Sequence, residues 1–120
     1  MPATVTLLGT LLFCAACTSN DLVICTAQFV PGIVVEVQDS VSGASRVQGA
    51  QGAVHDGPFL DSPRPHSPTS LQAAGERPGT YNVTLSHAGY ADWVRTGVQV
   101  ERGVCHVQTV TLQALLQPSP

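Results

Sequence analysis

The chain of 120 residues contains no lysine, and its five basic residues are all arginine. Charged residues of both signs make up only 11% and aromatic residues 5%, with a net charge of −3. No run of arginine interleaved with aromatics is present. That excludes the electrostatic footprint and stacking platforms that nucleic acid requires, so no nucleic acid partner is expected. Neither a Gly-x-Ser-x-Gly elbow nor a phosphate-binding P-loop occurs, and no nucleophile–base pair stands out along the chain. Helical periodicity is missing beyond the first residues. The apolar run Val5–Phe13 is too short for a membrane span, which needs roughly 20 apolar residues.

What is abundant points to β structure. Valine and threonine are frequent, and 11 glycines and 9 prolines punctuate the chain. β-branched residues lose rotamer freedom in a helix, and Gly and Pro interrupt one, so short strands joined by turns are favoured. Ile33–Gln38 alternates, with Ile33, Val35 and Val37 on one face. Thr80–Ser86 does the same with Tyr81, Val83 and Leu85. Further strands are expected at Ala53–His55, Ser70–Ala73, Tyr90–Thr96, a short Gly97–Val100 segment and His106–Leu115. Asp39–Gly43 and Asp56-Gly57 read as turns. Pro58, Pro63, Pro65 and Pro68 predict a surface loop or loosely held edge over 58–69, because each proline removes a ladder donor. The expected core is Ile33, Val35, Val37, Val54, Leu71, Tyr81, Val83, Leu85, Tyr90, Trp93, Val98, Val100, Val110 and Leu112. The fold class is all-β, a small Greek-key sandwich of about seven strands over residues 30–115, with a disordered tail at 116–120.

The N-terminal residues read as a targeting signal. The run Val5–Phe13 is followed by Cys14-Ala15-Ala16-Cys17, and small residues directly before a cysteine resemble the lipobox of bacterial lipoproteins. The resemblance implies a signal peptide over 1–16, cleavage before Cys17, lipidation of Cys17, and a tether over 17–29. Thr18 in the next position implies sorting to the outer membrane where a cell has two. A plain secretory signal, giving a secreted or periplasmic protein, and a buried N-terminal element of a cytosolic domain are the other readings.

With the leader and Cys17 set aside, Cys25 and Cys105 remain. An even pair in an exported chain reads as a disulfide. Cys105-His106 as a metal or catalytic pair is disfavoured, because adjacent residues of a strand point to opposite faces.

Residues Ile33–Asp39 with Ser42-Gly43, then Ala53–Gly57, then Pro78-Gly79-Thr80-Tyr81-Asn82-Val83-Thr84-Leu85 leading to Ala88-Gly89-Tyr90, resemble the carboxypeptidase regulatory-like domain. That domain belongs to the prealbumin-like (transthyretin-like) β-sandwich group. Val107–Leu112 resembles its closing strand, and the Cys25/Cys105 framing resembles small bacterial lipoprotein versions. The resemblance implies a module that assists folding, adhesion or recognition, with no active site. Prealbumin-like enzymes acting on a purine-derived substrate end in a Tyr-Arg-Gly-Ser type tail. This chain ends Gln117-Pro118-Ser119-Pro120.

Other constellations are weaker. His55, Asp56, Asp61 and His66 form the one local cluster of metal-ligand types, and it reads as a solvated loop, so no metal and no cofactor are expected. Asn82-Val83-Thr84 matches a glycosylation sequon and is read simply as strand. Trp93 is first a core residue. With Tyr90 it is the candidate aromatic shelf for a sugar or peptide, and Arg95 shares its face. The functional expectation is a non-enzymatic, membrane-tethered module of the bacterial cell envelope, serving protein interaction or structural support. The alternative is a ligand- or carbohydrate-binding accessory domain of an exported enzyme system.

Overall fold

In the computed structural model, Gly9 and residues 23–120 are described; the rest of the expected signal peptide, Cys17 and the start of the expected tether lie outside them. Eight strands form: β1 (Ile33–Asp39), β2 (Gln51–Asp56), β3 (Phe59–Asp61), β4 (Arg64–Ser67), β5 (Ser70–Ala73), β6 (Gly79–Ser86), β7 (Trp93–Val100) and β8 (Val110–Leu116). They make two four-stranded sheets, ordered β4-β5-β1-β8 and β3-β2-β6-β7. The chain changes sheet between β1 and β2, β3 and β4, β5 and β6, and β7 and β8. Pairing is antiparallel except at β1 and β8, which run parallel from Ile33↔Val110 to Asp39↔Leu116.

One core lies between the sheets. Ile33, Val35 and Val37 come from β1, Leu112, Ala114 and Leu116 from β8, and Tyr81, Val83 and Leu85 from β6. Each set occupies every second position, because strand side chains alternate between faces. Trp93, Tyr90 and Val110, expected inside, are half-buried and packed against this core. Val47, Ala73, Ala74, Val107, Ala114 and Leu116 join it in addition.

Turn chemistry follows the residues. The Asp39 carboxylate accepts from the backbone N–H groups of Val41 (2.7 Å) and Ser42 (2.8 Å), and Gly43 takes the positive φ of 74° that closes the turn. Gly57-Pro58 joins β2 to β3 in a tight hairpin that pairs Asp56 with Phe59.

Of the two readings of the proline-rich stretch 58–69, surface loop or loosely held edge, it is the edge that forms: the stretch supplies β3 and β4, one at the edge of each sheet, where a proline can leave the unpaired side without a donor. Three sequence expectations are corrected. Tyr90–Thr96 and Gly97–Val100 are not two segments. β7 starts at Trp93 and continues through Gly97, whose φ of 68° accompanies a register shift opposite Tyr81–Val83; the Asn82 side-chain oxygen accepts from the Gly97 N–H at 3.3 Å. The last strand starts at Val110, not His106. Residues 101–109 form a loop pinned by Gly103 N–H to His106 O (2.8 Å) and Gln108 N–H to Glu101 O (2.9 Å). The tail is held as well: Leu116 is buried, Ala91 N–H donates to Gln117 O, and Ser119 N–H donates to Gly89 O.

Candidate functional site

Trp93 opens β7, and Arg95 two positions on lies on the same face, its guanidinium carbon 5.2 Å from the indole centre. Val94 between them is 56% exposed. The two expected shelf residues on the strand are therefore together. Tyr90 is engaged elsewhere. Its hydroxyl donates to the Asp39 carboxylate at 2.6 Å and accepts from Arg46 Nε at 2.7 Å, while its ring meets His87 edge-on with centres 5.1 Å apart. Tyr90 thus joins the end of β1 to the turns around Arg46 and His87.

That junction borders a cleft of about 870 Å3, between residues 45–50 and the proline-rich edge at Pro63, Pro65 and Pro68. Gly49, at φ 84°, leaves room for the His87 ring, whose Nε2 lies 2.8 Å from the Gln48 carbonyl.

The residues of the local metal-type cluster are spent separately. Asp56 pairs with Arg77 at 3.1 Å, and Arg77 also donates to the Tyr81 hydroxyl and lies over the Phe59 ring. The Tyr81 hydroxyl beside it, and then Asp56, raise the affinity of Arg77 for its proton. Asp61 accepts from Ala74 N–H at 2.9 Å, and His66 faces Gln72. Among the described residues no three His, Cys, Asp or Glu side chains converge as a metal cage.

Cys25 and Cys105 are bridged, with Cα atoms 5.1 Å apart and a separation of 80 positions in sequence. The bridge fastens the segment before β1 to the loop before β8, and these two strands are neighbours, as the pairing requires. Phe29 extends the fastening by laying its ring on Gly75, where a side chain would collide with it. The turn under Phe29 is strained. Ala74 and Glu76 both hold positive φ, 54° and 53°, a region most residues avoid.

Beside the bridge the structure assembles a line of groups that sequence reading missed. Thr26 Oγ1 lies 3.3 Å from His106 Nε2, and His106 Nδ1 lies 2.7 Å from Glu76 Oε1. Glu76 Oε1 also accepts the Val30 N–H at 2.9 Å. The argument from alternating strand faces does not apply to His106, because it sits in a loop. Thr26 and His106 each directly follow a bridged cysteine, and that adjacency was the available signal.

The chain matches no family model and no curated protein.

Proposed function

We propose that the chain is a membrane-tethered module of the bacterial cell envelope, a carboxypeptidase regulatory-like sandwich that serves protein interaction or structural support. The observation that carries this reading is the Cys25–Cys105 bridge. Such bridges persist in oxidising compartments, outside the cytosol. This one also ties the tether's end to the sandwich, so that load on an N-terminal anchor reaches β1 and β8 through a covalent link.

The surface offered to a partner is the edge strand β7, with Trp93 and Arg95 on one face and Val94 on the other. Arg95 already covers the indole, so a sugar ring stacking there would first have to displace a cation–π contact. A protein partner that clasps this edge, with a carboxylate at Arg95 on one side and an apolar group at Val94 on the other, keeps that contact. The observation therefore favours protein over glycan. Binding, not turnover, is what this edge supports.

The test places a photo-crosslinking residue at position 94 in growing cells. One defined envelope protein should be captured, and Arg95→Glu should abolish the product. Intact-mass measurement of the same material should find Cys17 as a lipidated first residue. Retention of residues 1–16 on a soluble protein, or a glycan ligand lost on Trp93→Ala with no protein product, would overturn the reading.

A further inference from the structure

We propose that Thr26, His106 and Glu76 form a hydrolytic site for short-chain acyl esters, with Thr26 as nucleophile, His106 as base and Glu76 positioning the imidazole. This goes beyond the interaction reading and uses a different part of the molecule.

Three hydrogen-bonding groups stand in the order that activates a hydroxyl: alcohol, imidazole, carboxylate. A carboxylate only accepts, so Nδ1–H donates to Glu76 Oε1 at 2.7 Å, and this contact fixes that tautomer. Nε2 then turns its lone pair to the Thr26 hydroxyl, as a general base must. Glu76 itself is oriented by the Val30 N–H and by the strained turn Ala74–Glu76. Backbone strain of this kind clusters where geometry is held for a purpose. The disulfide supplies the remaining constraint, since it holds the backbones that carry the hydroxyl and the imidazole side by side.

A hollow of about 110 Å3 borders the imidazole and carboxylate end of this line, walled by Arg102, Gly103 and Val104. It has room for an acetyl or propionyl group. Arg102 carries no side-chain hydrogen bond or ion pair among the described residues. Its charge is therefore available to an oxygen that becomes negative in the transition state.

The chemistry balances with water as the co-reactant. Thr26 Oγ1 bonds to the ester carbonyl carbon while its proton passes to His106 Nε2. The bond from that carbon to the leaving oxygen breaks, and the proton goes to the departing alkoxide. Water, deprotonated by the same nitrogen, then attacks the acyl-threonine. The acid is released and the hydroxyl restored.

The experiment follows hydrolysis of 4-nitrophenyl acetate by the full, disulfide-intact chain. Thr26→Ala should lower kcat/KM by about 100-fold or more, and His106→Gln by a similar factor. Thr26→Ser should retain activity. Glu76→Gln should lower kcat with little change in KM, the mark of a positioning residue. Thr26 is exposed and outside any strand, so its alanine variant keeps the fold, which a melting curve verifies. No hydrolysis above buffer overturns the proposal. So does full activity in Thr26→Ala, which would assign the reaction to an exposed imidazole alone.

Discussion

At the scale of single residues, Asp39 is where charge and fold meet. The Tyr90 hydroxyl, followed by the backbone N–H groups of Ser42 and Val41, stabilises its carboxylate and holds the carboxyl at about 2 instead of 3.8. On unfolding those donors are lost and the ordinary value returns. The unfolded chain therefore takes up this proton at a higher pH than the folded one. The stabilisation is complete above about pH 4 and disappears as pH falls towards 2. Denaturant midpoints measured across this window should fall for the native chain and fall less steeply for Asp39→Asn. Equal slopes would assign the acid sensitivity to another group. Tyr90→Phe should narrow the same window, since it removes the largest of the stabilising contacts. Tyr90 illustrates what a sequence conveys about a residue. Sequence placed it in the core or on a shelf with Trp93, whereas it stands half-buried against the core, and its partners, Asp39 and Arg46, are 51 and 44 positions away. No local pattern announces them.

At the scale of elements, the strands that alternate cleanly are the ones that carry the core, and they were the legible ones. β6 buries Tyr81, Val83 and Leu85 completely, and β1 does nearly the same with Ile33, Val35 and Val37. Leu85→Ala should cost about 2–5 kcal/mol in a chemical denaturation curve, through lost transfer energy and the cavity left behind. Val94→Ala on the exposed face of β7 should stay within about 0.5 kcal/mol. Comparable losses at the two positions would contradict the assignment of faces. β3 and β4 were not legible as strands, because each is short and the stretch holding them is rich in proline; only their partners in β2 and β5 make them strands. The limits of β7 were misread at Gly97 for a related reason: a glycine inside a strand pattern reads as a break until the neighbouring strand absorbs it as a bulge. Sequence also gave the last strand too early a start. Residues 101–109 contain apolar Val104 and Val107, yet their backbone bonds close a loop on itself.

At the scale of the whole molecule, the Cys25–Cys105 bridge spans most of the described chain. In the chain-entropy account, closing a loop of this length stabilises the fold by about 4–5 kcal/mol. Reduction should therefore lower the melting temperature by many degrees without altering the strand content seen at low temperature. Two thiols that alkylate freely in the native, unreduced protein would contradict the bridge. Cysteine arithmetic made this pairing readable in advance. The threonine, imidazole and carboxylate it brings together were not, because Thr26, Glu76 and His106 become neighbours only once both the bridge and the Ala74–Glu76 turn are in place. The parallel pairing of β1 with β8 has a further consequence, which concerns the order of synthesis. Among the described strands β1 is made first, and one of its two partners is made last. Until residues 110–116 have emerged, β1 lacks that flank and the core lacks Leu112, Ala114 and Leu116. Contacts this distant along a chain form late, since the closure entropy of the whole intervening segment must be overcome first. A ribosome adding roughly 5–20 residues each second thus delivers an open, unfinished sheet for the several seconds that translation takes. The sandwich is therefore completed only when β8 arrives to flank β1.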